Sequence, residues 1–322
     1  MNAPRFSVIL VNWNTAAMTC EAIRSVFAES SRSGVPVEVV VSDNGSDDES
    51  VTRIREAFPE VRVIENRANL GFSRAVNRAL PQCHGEHVVL LNTDATLEEG
   101  ALAAFVETFE RAPKVGIQGA SLLNPDGTPQ NSSAPFPNLA TELVPKWLLR
   151  ALHPSVFESK VPPGSTEPRE VDSVIGACLV IRGETLREIG PLDERFFFFL
   201  EETDWCFRAR ARGWKVVVNP GARVVHGQGK SSEKVLTDSR IEFHRSRYRY
   251  FRKNHGVLSA GCLFVGMILK LVVESLSAWT VVLASLGTSS RARRRARVVS
   301  ALLAWHLLGC PKGWGLEGRF LL

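Results

Sequence analysis

The sequence predicts an α/β fold: a mostly parallel sheet flanked by helices, followed by a helical segment that is both basic and apolar. Three observations predict it. Short β-rich runs alternate with helical spacing through the first hundred residues, and polar turn residues stand where the β-rich runs end. The composition, 44% apolar and 23% charged, is that of a chain that buries a core. At 322 residues the chain can hold one large domain with an appendage, or two domains.

The elements follow in order. Phe6 to Val11 is a β-rich run, and Ala16 to Ala28 has helical spacing. Val37 to Ser42 is a second strand and ends in Asp43-Asn44-Gly45-Ser46, a turn signature. Ser50 to Phe58 reads as a helix, Val61 to Glu65 as a third strand and Leu70 to Leu80 as a helix. His87 to Leu91 is a fourth, apolar strand that stops at Asn92-Thr93-Asp94. This alternation implies parallel strands covered on both faces. In such sheets ligands bind beyond the carboxyl ends of the strands, where Asn12, Asp43 and Asp94 all fall. From Leu122 to Pro168 the chain turns rich in Pro, Asn, Ser and Gly, which reads as long loops and short helices forming a lid or acceptor wall. Order returns over Val171 to Arg182 and continues to His226, and no internal repeat is apparent.

The stretch from Phe196 to Lys230 carries the densest chemistry. A phenylalanine run ends in Glu201, Glu202 and Asp204. Held at the edge of a core, such a carboxylate has its pKa raised toward that of a general base. Taken alone, the acids merely begin a helix, as Asp and Glu often do. His226 ends a β-rich run, and by itself is an ordinary core or surface histidine.

Charge is unevenly spread. From Arg240 onward there are 14 Lys/Arg against 3 Asp/Glu; the totals of 39 and 34 leave 25 against 31 before it. The tail therefore calls for an anionic partner. Glu242 to Lys253 is a basic, aromatic helical run, and Val257 to Gly287 is apolar apart from Lys270 and Glu274. Arg291, Arg293, Arg294, Arg295 and Arg297 follow, then apolar Val298 to Leu308. Val257 to Gly287 is long enough to span a bilayer, but its two mid-segment charges are costly there unless paired. A helix lying in the headgroup plane of an anionic membrane surface fits better, and a homo-oligomer interface is the remaining alternative. The acidic first part and the apolar neighbours of the arginines argue against nucleic acid. The expected division is residues 1–240 and 241–322.

Six scattered cysteines with no CxxC pair argue against a zinc site or a dense disulfide framework and suit a reducing compartment. No GxGxxG follows the first strand, which argues against a dinucleotide oxidoreductase. Asn2 to Arg5 lead directly into a strand, so no signal peptide is visible and a cytoplasmic-side location is expected.

Across Phe6 to Gly256 the segments FSVILVNWNT, VVSDNGSDD, NRANLGFSRAVNRAL, LNTDA, VIGACLVIRGETLREIGPLDERFFFFLEETDWCFRARARGW and the later VVH resemble the inverting family 2 glycosyltransferases, and among them the bacterial rhamnosyltransferase type. The resemblance implies a GT-A fold, a nucleotide-sugar donor and a divalent metal, Mg²⁺ or Mn²⁺. It also implies transfer of a sugar, L-rhamnose from dTDP ahead of galactofuranose or another hexose. The acceptor would be lipid-linked or a polysaccharide of the cell envelope, at the cytoplasmic face of the inner membrane. By the same resemblance Asp43, with Asn12, Thr15 and Asn44, holds the nucleobase, while Arg67, Asn69 and Gly71 face the diphosphate or ribose. Asn92-Thr93-Asp94 stands in the place of the family's Asp-x-Asp motif, with Asp94 as metal ligand and His226 as a second. Glu202 falls on the base position and Glu201 beside it is the alternative, because Glu replaces Asp there. Asp204 is expected to anchor the helix start or a nearby Arg. A neutral Asn92 and the Glu substitution keep a catalytically inert nucleotide-sugar-binding scaffold as a rival reading.

Overall fold

Alternating apolar strands and amphipathic helices build a mixed sheet of nine strands, beside which two short strands pair separately. The computed structural model describes residues 4–152, 154, 158–227 and 236–321. The first four strands alternate with three helices: β1 (Phe6–Asn12), α1 (Ala16–Ser33), β2 (Val37–Asp43), α2 (Ser50–Ala57), β3 (Arg62–Glu65), α3 (Phe72–Ala79) and β4 (His87–Leu91). There follow β5 (Ala95–Leu97), α4 (Ala101–Arg111), β6 (Val115–Leu123) and β7 (Ser133–Ala134). Two short helices come next, α5 (Leu139–Leu143) and α6 (Lys146–Leu152), then β8 (Arg169–Glu170), β9 (Ser173–Val174), β10 (Cys178–Arg182) and α7 (Gly183–Ile189). The sheet closes with α8 (Glu201–Ala211) and β11 (Lys215–His226). Its strand order is β3-β2-β1-β4-β10-β6-β11-β5, with β8 added beside β11.

The pairings among β1 to β4 are parallel, as the alternation requires, and so is that of β6 with β11. β10 enters antiparallel to both β4 and β6. Phe6, Val8 and Leu10 of β1 bury on one face with Ile23 and Val26 of α1; Ile9 buries on the other with Val76 of α3 and Trp205 of α8. Burial on both faces is why the strands read as unbroken apolar runs. Helix α1 runs past Ala28 to Ser33, where Gly34 at φ 71° donates its N–H to the Ser30 carbonyl. Its last turn is polar and carries no apolar period, so only this left-handed cap marks the end. Between Leu122 and Pro168 the expected loops and short helices are found, with β7 and an isolated turn over Asn124–Thr128.

By contact the chain divides into two units: Met1–Phe136, His153–Glu194 and Glu201–Lys230 form the first; Pro137–Leu152, Arg195–Leu200 and Ser231–Leu322 form the second. The second unit therefore takes in two excursions from earlier in the chain. Its helices are α5, α6, α9 (Leu236–Asn254), α10 (Gly256–Ala284), α11 (Ser290–Leu307) and α12 (Gly315–Leu321). The buried Glu242 carboxylate lies 2.6 Å from Arg245 Nη1 and 3.6 Å from Arg249 Nη1, and accepts the Glu317 amide at 3.1 Å. Helix α10 buries a stripe of Leu263, Met267, Leu271, Ala278 and Val282. Val265, Leu269, Val273, Leu276 and Leu283 on its other faces are exposed. The α10 helix is long and apolar enough, by length and composition, to cross a membrane. Lys270 donates not to Glu274 but to the Glu142 carbonyl of α5 at 3.0 Å.

Glu242→Ala leaves the Arg245 and Arg249 guanidinium groups without their buried counter-charge. The variant is expected to lose about 3–5 kcal/mol of stability in the second unit. Chemical unfolding followed by tryptophan fluorescence, with Trp305 and Trp314 as reporters, checks this; an unshifted midpoint contradicts it.

Candidate active site

Parallel pairing of β1 with β2 sets Asn12 opposite Asp43, so both strand-end side chains leave the sheet together. The Thr15 and Thr19 hydroxyls donate to Asn12 Oδ1 at 2.8 and 2.6 Å, which turns the amide nitrogen toward Asp43. Asn12 Nδ2 then donates to Asp43 Oδ1 at 2.7 Å, and Ser46 closes the turn by donating its hydroxyl to Oδ1 at 2.6 Å and its amide to Oδ2 at 3.0 Å. Asp43 is thus buried and held by its own loop, and a ligand would meet the rim of this network. Gly45 has φ 73°, and a Cβ there would lie 2.7 Å from the Ala68 nitrogen, so the β2–α2 loop packs directly on the β3–α3 loop. Across that seam Asn44 Nδ2 donates to Asn69 Oδ1 at 3.4 Å and to the Gly71 carbonyl at 3.2 Å. Asn66 donates to Ser42 and Asn44 at 2.9 and 3.0 Å. Arg67, exposed and at φ 60°, stands on the same loop.

The next strand end continues the edge. Thr15 Oγ1 lies 3.3 Å from Thr93 Oγ1, and the Asn92 amide donates to the Ala177 carbonyl at 2.9 Å. Antiparallel pairing of β5 with β11 sets Ala95 against His226, which brings His226 Nε2 to 3.4 Å from Asp94 Oδ1. The Gly227 amide also donates to the Asp94 carbonyl at 2.8 Å. Two residues 132 positions apart in the sequence are thereby joined. Among the described residues no three His, Cys, Asp or Glu side chains converge on one point.

The third component is α8. Phe199 and Leu200, at φ 72° and 66°, adopt the left-handed region in succession immediately before it, a conformation that costs about 1–3 kcal/mol per residue. Glu201 is buried at the helix start, while Glu202 keeps some exposure and packs on Gly176. A Cβ at Gly176 would lie 3.4–3.6 Å from the Glu202 side chain. Gly176 precedes Ala177, whose carbonyl holds Asn92, so the Glu202 side chain and the Asn92–Asp94 turn share one edge of the sheet. Burial pushes the Glu202 carboxyl up to about 6, against the smaller opposing pull of the first-turn amides. Asp204 holds Arg208 at 2.9 Å, and Arg208 in turn binds the Ile189 and Pro191 carbonyls. Trp205 is core, its Nε1 donating to the Gly190 carbonyl at 2.9 Å.

All the expected residues except Arg67 enter this connected edge through a hydrogen bond or close packing, or, for Glu201, by helix position. Sequence reasoning passed over Ser46, Asn66, Gln130 and Gly176. Ser46 was visible in the turn signature, and Asn124-Pro125-Asp126-Gly127 announces the hairpin that delivers Gln130. Nothing in the sequence singles out Gly176 or Asn66.

The family model described as glycosyl transferase family 2 matches residues 7–157, and that described as glycosyl transferase family group 2 matches residues 87–316. The chain belongs to the family 2 glycosyltransferases and has the GT-A fold of that class. It is similar to the N-acetylglucosaminyl-diphospho-decaprenol L-rhamnosyltransferase of Mycobacterium tuberculosis, 28% identical over 236 residues that cover 68% of this chain and 76% of that protein. A low-salt glycan biosynthesis hexosyltransferase of Haloferax volcanii is 26% identical over 288 residues, covering 83% and 86%. Among solved structures, a mannosyltransferase from Pyrobaculum calidifontis in complex with GDP-Man and Mn²⁺ superposes with a TM-score of 0.54 at 17% identity, covering 96% of this chain and 88% of that one.

A carboxyl whose folded pKa lies above its usual 4.5 binds its proton more tightly in the folded state. Its contribution to stability is therefore full below about 4.5 and is lost as pH rises through about 6. Glu202→Gln removes that loss, so the variant is expected to be more stable than the parent at pH 8, by about 1–2 kcal/mol, and equal to it at pH 4.5. Thermal melting at the two pH values checks the sign.

Proposed function

We propose that this glycosyltransferase moves L-rhamnose, with inversion, from a dTDP donor to a lipid-linked or polysaccharide acceptor of the cell envelope at the cytoplasmic face of the membrane. The observation that carries the chemical part is the partly exposed Glu202, its carboxyl raised toward neutrality, on the same sheet edge as Asn92-Thr93-Asp94. In-line displacement needs a base for the acceptor hydroxyl: its oxygen bonds to the anomeric carbon, the carbon–phosphate oxygen bond breaks, and the hydroxyl proton passes to a carboxylate. Glu202 takes that role. Glu201 is buried at the helix start and supports the turn. Asn12, Thr15, Asp43 and Asn44 shape the base subsite, while Arg67 and Asn69 present donors to ribose and diphosphate and Gly71, at φ 82°, lets the backbone approach closely.

Asp94 and His226 would hold a divalent ion between Oδ1 and Nε2. One hard oxygen and one imidazole nitrogen suit Mn²⁺ better than Mg²⁺. When bound, such an ion would neutralise the charge of the leaving diphosphate. The rhamnosyl donor and lipid-linked acceptor are supported by the likeness to the mycobacterial enzyme.

The second unit supplies the membrane contact. Helix α10 is flanked along its buried stripe by α9 and α11, which carry Arg245, Arg247, Arg249 and the five arginines of α11. A bilayer-crossing path would drag these charges inward, whereas lying in the headgroup plane puts the exposed α10 residues into lipid and keeps the exposed arginines of α11 at anionic headgroups.

Glu202→Gln should lower turnover by at least ~10²-fold with little change in donor affinity, and the wild-type rate should fall as pH drops through about 6. A near-normal rate in that variant, with Glu201→Gln inactive, assigns the base to Glu201. Replacing Arg291, Arg293, Arg294, Arg295 and Arg297 by Gln removes roughly 1 kcal/mol of attraction per residue. Much of that variant should leave anionic vesicles, as wild type should in high salt. Retention through high salt and alkaline carbonate would instead mean that α10 crosses the bilayer.

A further inference from the structure

Gln130 is nearly fully buried, at 3% exposure, yet it lies in the irregular segment after β6 and belongs to neither strand nor helix. Its backbone amide donates to the Leu122 carbonyl at 2.8 Å, below the Asn124–Thr128 turn. Its side chain makes three contacts. Nε2 lies 2.7 Å from the His226 carbonyl oxygen and 2.8 Å from Asn124 Oδ1, and Oε1 lies 3.1 Å from His226 Nδ1. A backbone carbonyl only accepts, so the amide must point its nitrogen at it; the reverse orientation would set two acceptor oxygens 2.7 Å apart. Gln130 Oε1 is therefore fixed as an acceptor toward Nδ1, which must carry the imidazole proton. Neutral His226 then has its lone pair on Nε2, the nitrogen 3.4 Å from Asp94 Oδ1. Two electron-rich atoms face each other across a gap that a shared cation makes favourable.

We infer that Gln130 is the positioning residue of the metal pair: by accepting from Nδ1 and donating to the carbonyl of the same histidine, it fixes the ring's tautomer and rotation so that Nε2 is the ligating nitrogen. A partner on the non-ligating nitrogen raises the basicity of the ligating one and removes the need to select a tautomer at binding. This inference rests on the reading of Asp94 and His226 as metal ligands.

The test uses the full-length protein and MnCl₂ alone, with ¹⁵N-histidine NMR and Mn²⁺ titration by EPR. In metal-free wild type at pH 8, His226 is expected as the Nδ1–H tautomer; finding the Nε2–H tautomer overturns the inference. Gln130→Leu is expected to mix the two tautomers and weaken Mn²⁺ binding about 10–100-fold. If Gln130→Leu does not fold, the wild-type tautomer alone decides. If Asp94→Ala and His226→Ala also leave Mn²⁺ affinity unchanged, the metal reading itself falls. If those two lose binding while Gln130→Leu keeps wild-type affinity and tautomer, only the role of Gln130 falls.

Discussion

The active-site edge depends on one pairing, the parallel register of β1 with β2 that sets Asn12 beside Asp43. The polar loops at the ends of β1, β2 and β4 are tied to that pair. Thr15 and Thr19 orient the amide, Ser46 closes the turn, and Thr15 reaches Thr93 on the next strand end. A slip of one residue would exchange the faces of β1, sending Ile9 and its partners to the wrong core. The two-sided hydrophobic core therefore fixes the position of the polar edge to within a hydrogen bond.

Much of this was legible in the sequence. The alternation from Phe6 to Leu91 marked each strand because each is buried on both faces, and turn chemistry at Asp43–Ser46 and Asn92–Asp94 marked where the chain leaves the sheet. What could not be read is what depends on distant pairing. Nothing local shows that β10 inserts antiparallel between β4 and β6, nor that β5 meets β11 and joins Asp94 to His226. The end of α1 was hidden for the opposite reason: Glu29 to Ser33 lack apolar period, and the helix persists until a glycine stops it. The second unit shows the same limit, since Pro137–Leu152 and Arg195–Leu200 join it through contacts that no boundary in composition announces.

Charge in the second unit is used in two ways that composition alone conflates. Arg245, Arg247 and Arg249 are spent inward, on Glu242, Glu142 and Glu317, and hold helices together. The arginines opening α11 are exposed and available. The surplus that faces outward is therefore smaller than the raw count from Arg240 suggests, and five of its charges cluster at the start of α11.

The bare backbone at position 176 has a consequence for how such an enzyme can change over time. Its φ is ordinary, so alanine is conformationally allowed there, and the added methyl would meet Glu202 at normal van der Waals distance rather than collide with it. That methyl would take further water from the carboxylate and move its proton affinity upward. A lineage could thus retune the acidity range in which it works by one codon, leaving every acid, amide and ligand of the site in place.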